Sequence, residues 1–502
     1  MGFSNPIIAG FYPDPSICRV GVDYYLVTST FEYFPGVPIF RSRDLVHWRQ
    51  IGHCLTRESQ LPLEKIGSSG GIYAPTLRYH AGRFYMVTTN ISAGKHFYVW
   101  ADDPSGPWSE PIWIAQNGID PSLYFDEDGR TYFQWTTLGT IWQAEIEIQT
   151  GALKGETREL WSGTGGRYPE APHLYKINGM YYLMIAEGGT EYGHMVTIAR
   201  STDPWGPFEA CPRNPILTHR NRGASPIQGT GHGDLVQAHD GSWWMVFLAF
   251  RCMRQYEGYH HLGRETFLAP MTWDEDGWPV VHGTGSVELA MEVEGLPTVT
   301  MGSEPDRDDF DSTTLRLYWN FLRNPRAADW SLTERSGWLR LRGSAVTLND
   351  SDSPAFLGRR QQHFACTASA CLSFLPQRET DEAGLTVLMN ETHHYEIFVT
   401  LRDGVRCVMV RRRIGDLVAV VVQEQIVDGL TVLTIEADAK QYTFSYRIDG
   451  MPAHTLATGL TRYLSSEVAG GFTGVYIGMY ATGNGQATSV PADFDWFDYQ
   501  PL

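Results

Sequence analysis

The chain has 502 residues, with 39 Lys and Arg against 57 Asp and Glu, for a formal net charge of −18. At roughly 100–200 residues per domain this allows two to four domains, or two large all-β ones. The negative surface repels phosphate backbones and argues against nucleic-acid binding, and no run of 18 apolar residues is present to form a membrane span.

Aromatic residues make up 13 % of the chain, with 51 Gly and 28 Pro. That mix favours β-structure over helices. The opening Met1 to Pro6 lacks a basic region followed by an apolar stretch, so no signal peptide is expected. The seven Cys are scattered and form no C-x-x-C. They read as free thiols of a reducing compartment, and a cytoplasmic location is the expectation. The sequence leaves a homo-oligomer open.

In chain order, one strand pair recurs five times. Asp14-Pro15-Ser16-Ile17 leads to Asp23-Tyr24-Tyr25-Leu26-Val27, and Ala74-Pro75-Thr76-Leu77 to Arg83-Phe84-Tyr85-Met86-Val87. Asp120-Pro121-Ser122-Leu123 leads to Thr131-Tyr132-Phe133, and Ala171-Pro172-His173-Leu174 to Met180-Tyr181-Tyr182-Leu183. The last copy is His232-Gly233-Asp234-Leu235 with Ser242-Trp243-Trp244-Met245. Gly82, Asp128-Gly129, Asn178-Gly179 and Asp240-Gly241 supply the hairpin turns, where a positive φ is needed. The copies start about 46 to 61 residues apart, the size of a four-stranded blade. Five such blades make a five-bladed β-propeller over residues 1–300. A β-sandwich with chance hairpins is the competing architecture.

In a propeller, aligned positions at the start of each innermost strand crowd around the axis. Those positions hold Asp14, Ala74, Asp120, Ala171 and His232, and Glu170 precedes the fourth as Tyr73 precedes the second. Three carboxylates and an imidazole should therefore meet at one mouth of the channel. The two Ala show that the strand start itself has no need of an acid. From about Val287 to Pro305 periodicity is lost and a linker is expected. Residues 306–502 then show short alternating strands: Tyr395 to Val399, Cys407 to Val410 and Leu417 to Val422. Turns at Asp403-Gly404, Gly415-Asp416 and Asp449-Gly450 separate them, which reads as a β-sandwich.

Carboxylates in a cleft with aromatics around them suit glycoside hydrolysis. One acid must stay protonated to assist the leaving oxygen, and another must stay ionised to activate water or attack. Asp14, Asp120 and Glu170 fit that set. Glu187, 17 residues beyond Glu170, is a rival for the acid, and Glu32 reads as a solvated acid at a strand end.

Six segments in order carry a resemblance. They are Asn5 to Ser16, Ser29 to Ile39, Gly118 to Leu123, Glu170 to Lys176, Ala186 to Thr190 and Leu262 to Thr266. Residues 1 to about 300 resemble the propeller domain of glycoside hydrolase family 43. Residues 306–502 resemble the β-sandwich of its β-xylosidase branch. The resemblance implies an inverting exo-glycosidase on pentosides, with Asp14 as general base, Glu170 as general acid and Asp120 orienting the sugar and modulating Glu170. It further implies Arg264 hydrogen-bonding the sugar, Phe31 in the apolar wall and Tyr73 stacking where the family often has Trp. His232 would face the axial channel, where Ca²⁺ or another divalent ion is often held through His and water; no cofactor is required for the chemistry.

Pentose-containing oligosaccharides are thus the expected partners. The segments Thr89 to His96 and Gln134 to Thr140 are short, which leaves the pocket mouth open and suits a side-branch arabinose. An α-L-arabinofuranosidase is therefore the leading expectation, with a β-D-xylosidase or a bifunctional enzyme behind it. A non-catalytic sugar-binding propeller and an endo-acting arabinanase are the remaining alternatives.

Overall fold

The computed structural model describes residues 2–253, 258–292, 298–299, 301–302 and 304–502. Five antiparallel sheets stand in chain order, four of them four-stranded and the fourth in order five-stranded, and their innermost strands are Ser16–Val20, Thr76–His80, Ile119–Phe125, Glu170–Ile177 and Ile227–Gln237. Each innermost strand touches the next around a closed ring, the fifth touching the first. The expected five-bladed propeller is what forms. The second strand of each blade is nearly all buried, as Met180–Glu187 and Trp243–Arg251 show, because neighbouring blades cover both its faces. That double cover is why these strands read as continuous aromatic and aliphatic runs rather than alternating ones. Gly82, Gly129, Gly179 and Gly241 all take positive φ at their hairpin turns.

The start of the expected linker is ordered differently. Ala290–Glu292 forms a ladder with Gly2–Ser4. Just beyond, the Asn5 side chain bonds both the N–H and the C=O of Leu268. The chain thus clasps its own beginning against the fifth blade. A three-residue strand is too short to leave a periodic signal. Residues 293–297, 300 and 303, also inside the expected linker, lie outside the described residues.

The second half packs a six-stranded antiparallel sheet against a larger one built around Pro491–Pro501, Cys366–Ser373 and Thr431–Ala437. Leu385, Val387, Ile397, Leu433, Ile435 and Phe497 are fully or almost fully buried between them. The two halves are joined by more than chain connectivity. Phe321–Leu322 pairs with Tyr33–Phe34, and Tyr33 stacks on Tyr476 at 3.8 Å. Arg360 Nε donates to the Phe11 carbonyl at 2.6 Å. At Gly263 the chains come so close that a Cβ would lie 2.9 Å from Gly474 Cα.

Candidate active site

Four of the five aligned strand starts share one backbone device. Asp14, Asp120, Ala171 and His232 all have φ between 48° and 55°. Left-handed non-glycine residues are uncommon. The ladders slip at the same place, between Ile119 and Ser122, Glu170 and His173, and Gly231 and Asp234. Such bulges re-aim side chains. Pro15, Pro121 and Pro172 follow directly and have no N–H to give to a ladder. The repeat therefore lifts these residues out of the pairing and turns them towards the axis.

Asp14, Asp120 and His232 line one cavity of about 580 Å³ with Tyr73, Phe31, Arg264 and Glu170, so all seven residues expected at the site meet there. Asp14 is buried. Its Oδ1 accepts from Arg264 Nη1 at 2.8 Å, and its Oδ2 accepts from the Ser29 hydroxyl. Burial pushes the Asp14 carboxyl up, but Arg264, then His232 and Ser29, outweigh it and hold it below the usual carboxylate value. Asp120 Oδ2 accepts from the Ala171 N–H at 3.1 Å. Burial, opposed by His232 and reinforced by Asp14, pushes Asp120 up to about 6. Glu170 is raised well above the ordinary value by burial and then by the charges of Asp120 and Asp14. One ionised and one protonated carboxyl can thus face the same cavity near neutral pH, the pairing that glycoside hydrolysis needs.

Arg264 ties the site together. Besides Asp14 it donates to Thr190 Oγ1 at 2.9 Å and to the Phe472 carbonyl at 3.1 Å. Its neighbour Glu265 pairs with Arg251 instead, which leaves Arg264 free to face the cavity. Phe31 and Tyr73 lie 5.2 Å apart on the wall. Glu187 lies outside the lining. It is fully buried and accepts from the Gly166 N–H, the Thr164 N–H and hydroxyl, and the Thr197 hydroxyl, so it anchors the 163–166 loop. Glu32 is corrected: it is fully buried beneath the second domain rather than solvated. Its Oε2 accepts from the Ser69 N–H at 2.9 Å, and burial pushes its pKa up to about 7.

Several lining residues had no sequence signal. Phe472, Ser466 and Glu467 come from the second domain. Phe472 stacks on Phe31 at 6.0 Å, and its N–H donates to Ser69 Oγ. Its only mark in the sequence is its place in the run Gly470-Gly471-Phe472-Thr473-Gly474. Gly471 takes a left-handed φ of 82°, which favours glycine, and a Cβ there would also meet Ser69 Oγ at 2.7 Å. His194 was also missed. It is buried, its Nδ1 faces the Gly229 carbonyl at 3.3 Å, and its Nε2 lies 3.7 Å from Glu170 Oε1. Burial, helped by His232 and Arg264, pushes its pKa down to about 3, so it stays neutral.

The donors around His232 fit a metal poorly. Its Nδ1 lies 3.7 Å from Asp14 Oδ1, an oxygen that already accepts from Arg264. Among the described residues, no group of three or more His, Cys, Asp or Glu is arranged to hold an ion. Deeper in the channel a cation is already present as Arg78, paired with Asp234 at 2.8 Å.

The comparisons with known proteins agree with this fold. The family model for glycosyl hydrolases family 43 matches residues 3–279, and that for the β-xylosidase C-terminal concanavalin A-like domain matches residues 307–500. A non-reducing end α-L-arabinofuranosidase of Bacteroides ovatus is 50 % identical, covering 100 % of this chain and 95 % of its own. A xylosidase/arabinosidase of Butyrivibrio fibrisolvens is 40 % identical over 99 % of both chains. Among solved structures, the Bacteroides ovatus xyloglucan PUL GH43B superposes with a TM-score of 0.97 at 49 % identity over 100 % of both chains. The xylan β-1,4-xylosidase from Bacillus halodurans superposes with a TM-score of 0.93 at 35 % identity, over 99 % of this chain and 100 % of that one. With three crowded carboxylates at the mouth of a five-bladed propeller and an appended β-sandwich, the chain belongs to glycosyl hydrolase family 43.

Proposed function

We propose that the enzyme is an inverting exo-glycosidase that removes terminal non-reducing α-L-arabinofuranosyl units from hemicellulose oligosaccharides, with β-D-xylosyl units as its second substrate. The observation that carries the reading is the split of carboxyl charge: Asp14 held low by Arg264, Glu170 held high by burial and by Asp120. Ionised Asp14 takes a proton from water as that water attacks the anomeric carbon. Protonated Glu170 gives its proton to the leaving oxygen. Asp120 keeps Glu170 protonated and holds a sugar hydroxyl. Arg264 orients both Asp14 and the sugar, and Phe31, Tyr73 and Phe472 wall the ring. The Arg78–Asp234 pair blocks the channel below, and Phe472 of the second domain leans over the mouth, which favours a chain end over a continuous strand.

The arabinofuranosyl preference is supported by the activity named for the Bacteroides ovatus relative and by the short 89–96 and 134–140 segments. Seven scattered cysteines that form no C-x-x-C suit a reducing cytosol supplied with imported oligosaccharides. The test is turnover of 4-nitrophenyl α-L-arabinofuranoside and β-D-xyloside, with proton NMR of the first sugar released from a natural oligosaccharide. The arabinofuranoside should react faster, and the product should carry the inverted configuration. Retention would make Asp14 a nucleophile. Sugar binding without turnover of either aryl glycoside would make the propeller a lectin.

A further inference from the structure

Glu32 is a buried acid that the reaction does not use. It follows Phe31 directly, yet of the two only Phe31 lines the active-site cavity. The Phe31 N–H and C=O both bond to Ile72, while the Glu32 side chain reaches the 66–71 loop, where its Oε2 accepts from the Ser69 N–H at 2.9 Å. Ser69 stands in left-handed backbone, at φ 63°. That conformation is strained for a residue with a Cβ, so surrounding contacts must hold it. The Ser69 Oγ in turn accepts from the Phe472 N–H at 2.8 Å, and Phe472 stacks on Phe31 at 6.0 Å. Glu32 is thus tied to both rings of that pair, to Phe31 along the chain and to Phe472 through Ser69. We infer that Glu32 is a positioning residue, which acts through Ser69 to hold Phe472 over the cavity and so sets the affinity for the terminal sugar. The inference rests on the exo-glycosidase reading, in which Phe472 walls the ring.

An acid at this place is a burden on stability. Glu32 is fully buried, and its Oε1 has no hydrogen-bond partner among the described residues. Stripping water from a carboxyl costs more than one N–H contact returns. Of the charged groups facing it, Arg323 favours the ionised form and Glu391 opposes it, and burial outweighs both. Arg323 directs its donors elsewhere, Nε to the Ile66 carbonyl at 2.6 Å and Nη1 to the Asp352 carbonyl at 2.7 Å. An apolar side chain of similar size would remove the desolvation cost, but it could not accept from Ser69. The same loop is stitched to the second domain by Arg323 at Ile66 and by the hydrogen bond from Ser68 to Glu391. Glu32 adds a hold from the propeller at the one residue whose hydroxyl takes the Phe472 N–H.

The test measures kcat and KM separately on 4-nitrophenyl α-L-arabinofuranoside. Glu32→Leu should raise KM about five- to tenfold, the scale of one lost aromatic contact. The kcat should stay within about twofold, because Phe472 walls the sugar in ground and transition states alike. Glu32→Gln keeps an acceptor for Ser69 and should restore the native KM. The Tm of Glu32→Leu at pH 7 should be level or raised, since the buried carboxyl is gone. Ser69→Ala breaks the same chain of contacts at a half-buried position, and it should raise KM by a similar factor even if Glu32→Leu fails to fold. In a Phe472→Ala background, Glu32→Leu should add nothing further to KM. Hydrogen exchange over residues 465–474 reads the link without turnover: protection should fall in Glu32→Leu and persist in Glu32→Gln. An unchanged KM in Glu32→Leu and Ser69→Ala would overturn the inference. So would a rise that Glu32→Gln shares, or one that persists undiminished without Phe472. Inert glycosides with the exchange contrast intact would instead overturn the activity and leave the positioning role standing.

Discussion

Two sets of charged side chains are buried along the same channel, and they have opposite fates. In the lower set, Asp234 accepts from Ser16 Oγ at 2.6 Å, from Tyr175 Oη at 2.6 Å and from Arg78 Nη1 at 2.8 Å. It also accepts from two backbone N–H groups, of Ile17 and Leu235. Arg78 reaches on to His173 Nδ1, and so does Ser122, so side chains from all five blades are knotted together. Despite burial, Arg78 and His173 hold the Asp234 carboxyl far below its ordinary value. In the upper set three carboxyls share one guanidinium, and two of the three are pushed up instead. Burial is common to both. The number of donors per carboxylate decides whether a buried acid locks the fold or keeps a proton to give away.

The largest effects should come from the upper set and should be chemical. Asp14→Asn is expected to cost roughly 10²–10⁴ in kcat/KM on natural and aryl glycosides alike, because water must be activated whichever group leaves. Glu170→Gln should cost as much on natural glycosides but far less on aryl glycosides with acidic phenols. Glu187→Gln should show no such dependence on the leaving group. The reverse pattern would transfer the acid role to Glu187.

The lower set should answer in stability. Arg78→Met leaves Asp234 buried and unpaired, which should cost about 3–5 kcal/mol in urea unfolding at pH 7. The double variant Arg78→Met/Asp234→Leu should recover most of it. Because the Asp234 pKa is lower folded than unfolded, its contribution is present above the unfolded value and fades as pH falls. Glu170 has the opposite sign: its pKa is higher folded, so its contribution is complete below the unfolded value and lost as pH rises. Glu170→Gln should therefore leave Tm unchanged or raised at pH 7, and a fall of several degrees would remove the contrast.

A smaller effect should appear in the pH profile. Activity should be bell-shaped, with Asp14 on the acid limb and the Asp120–Glu170 pair on the basic limb. Asp120→Asn removes a charge that raises Glu170, so the basic limb should move to lower pH. An unmoved limb would separate Asp120 from the acid. The smallest effect is expected from chelation. Because no group of three or more His, Cys, Asp or Glu among the described residues is arranged to hold an ion, EDTA should leave Tm and kcat unchanged. A loss of either that Ca²⁺ restores would show an ion held in the channel through His232 and water.

By itself the sequence determined the five-fold repeat, because a strand buried on both faces and a tight glycine turn are local requirements that each blade restates. It also determined that Asp14, Asp120 and His232 face the axis, since equivalent positions of a closed ring must converge. Glu170 was legible through its fixed place one residue before the fourth of them. The tertiary structure decided everything that depends on contacts between the two domains. Phe472 reaches the cavity where Gly471 lies against the Ser69 side chain and Gly263 against the Gly474 backbone, about 400 and 200 residues apart in sequence. No local pattern encodes a contact of that range. Glu32 looked solvated because nothing around it announces the second domain that covers it. Which acid keeps its proton was also decided there, because a pKa follows from how many donors and charges the whole fold gathers around each carboxyl.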